Sequence, residues 1–176
     1  MKNATMKNGT KAPIEFSYHV TGNFFAGEYP FKRTVDEGLP KLQLLLDFGI
    51  KHFIDLTEPP DELTSYREYL PEDIAYTRFP TVDMTVPNLK DLRTIHEIAS
   101  KSDVKIYVHC KGGFDRTGAT VATYFVFNGG TAEEAKKMYV QTVPNKQRTR
   151  YGSFYLPLIE RTEYAALKKY EQFLKQ

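Results

Sequence analysis

Leu39, Leu42, Leu45 and Leu46 recur at helical spacing and predict a helix over residues 34–48, with Pro40 in its first turn and Gly49 ending it. Residues 50–56 follow as a buried strand. The Pro59-Pro60 pair is expected to open a short helix reaching about Leu70, and residues 75–79 read as the next strand. Asn88 begins a helix in which Leu89, Leu92, Ile95, His96 and Ile98 share a face. Residues 104–109 (VKIYVH) form a β-rich apolar strand that runs directly into a loop bearing Gly112 and Gly113. That loop runs directly into residues 117–128, apolar nearly all round, as a central buried helix is. Gly129-Gly130 stops this helix, and Thr131 with Glu134 forms a capping box that starts another. Residues 156–174 predict a last amphipathic helix carrying Tyr164, Leu167, Tyr170 and Leu174. Strand and helix alternate, which predicts an α/β fold: a central, mainly parallel twisted sheet flanked by helices on both faces. In such sheets the ligand site lies at the carboxyl ends of the strands, and Cys110 stands at one of them.

Outside these elements, residues 1–12 are rich in Lys, Asn, Thr and Gly and lack aromatics, so a disordered polar tail is expected there and a single domain over 13–176. The net charge of +2 is too small for bulk attraction to nucleic acid, and none is expected as a partner. One cysteine excludes an internal disulfide and a thiolate-only metal site, and a reducing compartment suits a chain whose single thiol is reactive. No segment approaches the roughly 18 apolar residues of a membrane span. A cytoplasmic monomer without metal or cofactor is the expectation, since His19, His52 and His96 are scattered over different elements.

The candidate chemistry is concentrated in His109-Cys110-Lys111-Gly112-Gly113-Phe114-Asp115-Arg116-Thr117-Gly118. A phosphate dianion needs several donors converging on its oxygens. A tight loop opening a helix aims successive backbone N–H groups inward, and the helix dipole adds positive potential. Glycines let the backbone bend that closely. Arg116 supplies a planar fork that matches the equatorial oxygens of a transferring phosphoryl group, which lysine cannot do. The same field favours a thiolate, making Cys110 the expected nucleophile, with His109 and the Thr117 hydroxyl placed to tune it. Lys111, Gly112, Gly113, Phe114, Asp115 and Arg116 are the expected phosphate- and substrate-binding residues.

The pattern His-Cys-x-x-Gly-x-x-Arg-Thr-Gly resembles the signature of the cysteine-dependent protein tyrosine and dual-specificity phosphatase superfamily. Gly27-Glu28-Tyr29-Pro30, Phe53-Ile54-Asp55-Leu56-Thr57, Phe79-Pro80-Thr81-Val82-Asp83-Met84 and Asn128-Gly129-Gly130 extend the likeness over about residues 20–142, in the order of compact, mostly bacterial, atypical dual-specificity phosphatases. The resemblance implies a protein tyrosine phosphatase-like fold and a metal-free, two-step hydrolysis of phosphomonoesters through a phosphocysteine. It also implies a general-acid aspartate on a separate loop, and Asp83 matches that position, 27 residues before Cys110.

The implied substrate is a protein carrying phosphotyrosine, or mixed phosphoamino acids. Lys111 directly after the nucleophile, and Asp115 before the arginine, also resemble loops of phosphoinositide phosphatases, which makes a phosphoinositide or inositol phosphate the alternative substrate. A phosphate-binding pseudoenzyme is the reading from a different class, although every chemical group is present. Lys146, Arg148 and Arg150 form a short basic loop that either rims the pocket or is solvated surface. Tyr29, Phe114 and Tyr151 lie in segments that could border the pocket. The glutamine with which many relatives place the hydrolytic water has no clear counterpart near Asn145 to Ser153.

Overall fold

The computed structural model describes residues 13–142 and 165–172. The expected tail over 1–12, the basic residues Lys146, Arg148 and Arg150, Tyr151, and most of the last predicted helix lie outside these residues. The described elements are β1 (Ser17–Thr21), β2 (Phe24–Gly27), α1 (Val35–Asp47), β3 (Ile50–Asp55), β4 (Ala75–Arg78), α2 (Leu89–Lys101), β5 (Lys105–His109), α3 (Asp115–Phe127) and α4 (Ala132–Thr142). Residues 165–172 are helical. The sheet has the order β1-β2-β5-β3-β4, in which β1 is antiparallel to β2 and the other pairings are parallel.

The helix starts follow local chemistry. Thr34 Oγ1 accepts the Glu37 N–H, Asn88 Oδ1 accepts the Asp91 N–H, and Thr131 and Glu134 exchange side-chain-to-backbone bonds as the capping box predicts. Two expectations need correction. Pro40 lies in the second turn of α1, where its missing N–H leaves one helical bond unmade. The segment opened by Pro59-Pro60 does not form a helix to Leu70. It makes one turn of 3₁₀ helix at Pro59–Asp61, irregular chain, then a second such turn at Arg67–Tyr69. Glu62, in the left-handed region at φ 52°, breaks the first turn before it can propagate. The β1–β2 hairpin had no counterpart among the expected elements: Ser17, His19 and Thr21 alternate with Tyr18 and Val20 in a run too short and polar to stand out until β2 pairs with it.

Each face of the sheet carries its own core. Phe24, Ala26, Ile54, Ile106 and Val108 point to one side, where they meet Ile95 of α2 and Val121 of α3. Phe25, Phe53 and Tyr107 point to the other, where Leu42 and Leu45 of α1 and Tyr66 cover them. This alternation along β2 and β5 is the period-two rule of a strand buried on both faces. A register irregularity between Ile50 and His52 lets Ile50 and Phe53, three residues apart, share a side. Beyond α3, Leu167 packs with Ala122, Val126, Ala132 and Ala135, and Glu171 accepts the Ala132 N–H at 3.0 Å, so the 165–172 helix closes the start of α4.

Candidate active site

β5 lies between β2 and β3, so the chain leaving His109 emerges in the middle of the parallel part of the sheet, at its carboxyl edge. The loop that follows turns at once into α3. Gly113 has φ 70°, and a Cβ there would run into the backbone of Gly27 and Glu28. Glycine is needed both for the hand of the turn and for its approach to the end of β2. Backbone bonds fix the loop on both sides: Tyr29 N–H donates to the Lys111 carbonyl at 3.2 Å, and Leu56 N–H to the His109 carbonyl at 2.9 Å. Inside it, Gly113 N–H donates to Cys110 Sγ at 3.2 Å. The N-cap of α3 is Phe114, whose side chain has no oxygen to cap the helix, so the first turn presents its N–H end toward the loop.

Arg116, in the first turn of α3, is one of the largest fully buried side chains. Its terminal nitrogens are gripped from the turn after β3: Nη1 donates to Asp61 Oδ2 at 2.7 Å and Nη2 to Asp61 Oδ1 at 3.0 Å. Nη1 also donates to the Thr81 carbonyl at 3.0 Å, and Nη2 lies 3.1 Å from Asp83 Oδ1. The bidentate end of the fork, expected to hold phosphate, is therefore held by Asp61. What remains is the side edge: Nε is buried with no hydrogen-bond partner among the described residues, and with Nη2 it forms the second donor pair of a guanidinium. Burial works against the Asp61 carboxylate. The bonds from Arg116 and from the Glu58 backbone, with the charges of Arg116 and Lys111, outweigh it and hold Asp61 below the ordinary aspartate range. Arg116 is held correspondingly more firmly in its charged form, against the cost of burial, by Asp61, Cys110 and Asp83.

Asp83 sits on the loop between β4 and α2, with its side chain 63% exposed. That loop leaves the sheet through two backbone bonds, Phe79 N–H to the Asp55 carbonyl and Thr81 N–H to the Leu56 carbonyl, which bring it back over Arg116.

Behind Cys110 lies a buried polar chain. His109 Nε2 meets the Tyr66 hydroxyl at 2.6 Å, and Nδ1 faces Asp55 Oδ1 at 3.9 Å. Asp55 accepts from the Thr57 N–H and hydroxyl and from the Tyr76 hydroxyl. Burial lowers the His109 pKa to about 4 against the pull of Asp55, so the ring is neutral at pH 7. With its proton on Nδ1, toward the carboxylate, Tyr66 is the donor to Nε2. Burial and the nearby Asp55 raise the Tyr66 hydroxyl pKa well above its usual value, which keeps that donor protonated. His109 is thus a neutral anchor of the strand end, joined to Tyr66 across the β3–β4 connection.

The other expected residues separate. Thr117 is fully buried, and its Oγ1 has no hydrogen-bond partner among the described residues. Lys111 is exposed at the loop and donates through Nζ to the Asp61 carbonyl at 3.1 Å. Gly112 is half-exposed and Gly113 buried. Phe114 is buried in the same cluster as Cys110, a packing position. Asp115 is half-buried in the first turn of α3, where a carboxylate complements the helix N-terminus. Tyr29, considered for the pocket rim, is buried behind the loop, edge-on to Tyr66 and His109. Asp61, Glu58, Tyr66 and Asp55 did not stand out in the sequence as site residues. The one available signal is Asp61 itself: an aspartate locked by two preceding prolines, right after a buried strand, is well placed for a fixed partner.

Three comparisons bear on this arrangement. The family model Tc-R-P, described as a polymorphic toxin system DSP-PTPase phosphatase, matches residues 29–130, more than half of the chain. The phosphatidylinositol 3,4,5-trisphosphate 3-phosphatase and protein-tyrosine-phosphatase PTEN1 of Arabidopsis thaliana is 42% identical over 67 residues, 35% of this chain and 16% of its own length. The chain spans 16% and 40% of the lengths of the first curated relatives it matches. Among solved structures, PTPMT1 in complex with PI(5)P superposes with a TM-score of 0.68 at 21% identity, covering 92% of this chain and 97% of that one. Kinase associated phosphatase, with its catalytic cysteine replaced by serine, gives 0.67 at 16% identity over 93% and 97%. What these solved structures share with the chain is the fold.

Proposed function

The chain belongs to the DSP-PTPase phosphatase family of the dual-specificity and protein tyrosine phosphatase superfamily, and on that premise we propose that it hydrolyses phosphomonoesters through a cysteinyl-phosphate intermediate. The observation that carries the reading is the meeting of three parts at one guanidinium: the Cys110 loop from which Arg116 springs, the Asp83 carboxylate 3.1 Å from Nη2, and the partnerless buried Nε. Nε–H and Nη2–H are the pair that would take two oxygens of a phosphoryl group, while Asp61 keeps the fork from rotating. The loop N–H groups and the start of α3 take the remaining charge.

In the first step Cys110 Sγ attacks phosphorus in line, the S–P bond forms and the P–O bond to the leaving group breaks. The Asp83 carboxyl gives its proton to the departing oxygen, releasing an alcohol or phenol. In the second step water attacks phosphorus, its proton passes to the Asp83 carboxylate, and the thiolate leaves with inorganic phosphate as product. No helix of the described residues is long and apolar enough to cross a membrane; a reducing compartment such as the cytoplasm suits the reactive thiol.

A protein phosphotyrosine, with phosphoserine and phosphothreonine as further members, is the leading substrate. One observation favours a phosphoinositide or inositol phosphate as second reading: the exposed Lys111 ammonium at the loop, where an additional phosphate could be met. PTEN1 and the PI(5)P complex of PTPMT1 carry lipid phosphates in their names, which supports testing it. Phosphate release should be measured from phosphopeptides, phosphoinositide vesicles and soluble inositol phosphates, with acid-quenched mass spectrometry of the Cys110 peptide. The expected result is turnover with a phosphate adduct on Cys110. Turnover without that adduct, or no turnover of any monoester, overturns the reading, and the faster substrate class decides between the two alternatives.

A further inference from the structure

The turn Glu58-Pro59-Pro60-Asp61 touches both loops of the site. At one end the Asp61 carboxylate holds Arg116 and its carbonyl accepts Lys111 Nζ. At the other, Glu58 Oε1 accepts the backbone N–H of Asp83 at 3.2 Å. The turn is closed on itself, since the Glu58 N–H donates to Asp61 Oδ2 and the Asp61 N–H to the Glu58 carbonyl, both at 3.0 Å. Two consecutive prolines remove most of its backbone freedom. It is a short stiff bracket between the nucleophile loop and the acid loop.

The acid loop needs such a bracket. Residues 82–85 are exposed, and Met84 occupies the left-handed region at φ 58°, which disfavours a side chain with a Cβ. Thr85 bonds back to the Val82 carbonyl through both its N–H and its hydroxyl, so the turn organises itself without attaching to anything else. Among the described residues, the hydrogen bonds and ion pairs that tie residues 82–86 to the rest of the protein both fall on Asp83: its carboxylate to Arg116, and its N–H to Glu58. The first of these must be released during reaction, because Nη2 of the fixed guanidinium goes to a phosphoryl oxygen and the carboxyl goes to the leaving oxygen. The second uses the main chain and can persist throughout.

We propose that Glu58 is a positioning residue for Asp83: it holds the acid's backbone over the site while the acid's side chain is free to leave Arg116 for the leaving group. This rests on the reading of Asp83 as general acid, and the test separates the two. Steady-state kinetics are compared for the wild type, Glu58→Ala, Glu58→Gln, Asp83→Asn and the Glu58→Ala/Asp83→Asn double variant, on a phosphotyrosine peptide and on nitrophenyl phosphate. Glu58→Ala is expected to lower kcat on the peptide by about 10- to 10²-fold, the scale of a misplaced catalytic group, with far less loss on the activated ester. KM should stay within about twofold, because phosphate binding rests on Arg116 and the loop. Glu58→Gln keeps an acceptor oxygen and should recover most of the rate. In the Asp83→Asn background Glu58→Ala should cost nothing more, since there is no acid left to place. An unchanged kcat in Glu58→Ala, an equal loss on both esters, failure of glutamine to rescue, or multiplied losses in the double variant each overturn the positioning role. An Asp83→Asn enzyme as fast as wild type on the peptide overturns the acid assignment, and the proposal with it.

Discussion

The loop that carries Cys110 and the loop that carries Asp83 meet at one guanidinium, and they are built in opposite ways. The Cys110 loop joins a central strand to a buried helix, is cross-linked to both neighbouring strand ends, and packs so closely on Gly27 that no Cβ fits at Gly113. Its arginine is buried and its cysteine is 2% exposed. The Asp83 loop leaves an edge strand, exposes Val82 and Met84 to 59% and 38%, and among the described residues is tied at its tip by one ion pair and one hydrogen bond of Asp83. The difference fits the roles proposed for the two loops. Phosphate binding rewards donors already fixed in place, which the core can supply. A general acid must change partner within one turnover, so its loop is kept at the low-stability end of the structure and steered by a few specific bonds.

If that contrast is right, substitutions in the two loops should fail differently. Cys110→Ser should remove turnover by on the order of 10³ or more while leaving the fold and the binding of a non-bonding phosphate analogue such as sulfate intact, because hydroxyl replaces the nucleophile without changing the cradle. Measurable Cys110-independent turnover would remove the covalent step. Asp83→Asn should slow hydrolysis of a phosphotyrosine peptide by roughly 10² to 10⁴ and of activated aryl phosphates much less, with an unchanged melting temperature. A loss that ignores the leaving group, or one that comes with a lower melting temperature, would make the exposed loop structural after all.

Asp61→Ala tests the buried side of the contrast. Removing the carboxylate leaves Arg116 charged and buried without its main partner, at a cost of about 3 to 5 kcal/mol measured by denaturant unfolding. Inorganic phosphate should then stabilise the variant more than it stabilises the wild type, since it replaces the missing anion. An equal phosphate effect in both would mean that Asp61 and phosphate do not share the guanidinium.

The smallest effect concerns His109. Its folded pKa of about 4 lies below the ordinary histidine value of 6.5, so between those pH values the unfolded chain binds more protons than the folded one. Stability contributed by the neutral ring is fully present above about pH 6.5 and is lost as the pH falls toward 4, by about 3 kcal/mol at most at 1.36 kcal/mol per pH unit. Melting temperatures of the wild type and His109→Gln over that window should converge on acidification. Parallel curves would move the titrating group elsewhere.

Much of the scaffold was readable before any fold was known, because local chemistry decides it. The leucine spacing of α1, the helix start at Asn88, the capping box at Thr131, the apolar run into the glycine loop and the nearly all-apolar surface of α3 are short-range signals, and each produced the element it predicts. Where sequence reading failed, the reason was context. The Pro59-Pro60 segment has helix-start residues, but its helical conformation ends at the left-handed Glu62. The β1 strand exists because β2 is there to pair with it. Tyr29 lies in a segment that could border the pocket, and burial behind His109 puts its side chain in the core.

The same division runs through the site. The chain alone determined that Cys110, the glycine that lets the loop close and Arg116 stand together within residues 109–118, the spacing on which the proposed phosphate cradle rests, and that spacing survives any arrangement of the rest. Only the tertiary structure decided how Arg116 is aimed. Its partner Asp61 lies 55 residues away, Asp83 comes from a third segment, and Tyr66 reaches His109 across 43 residues. Contacts of that separation leave no periodic or local trace, because they depend on the order in which the strands lie in the sheet: β3 beside β5 puts the turn after one next to the loop after the other.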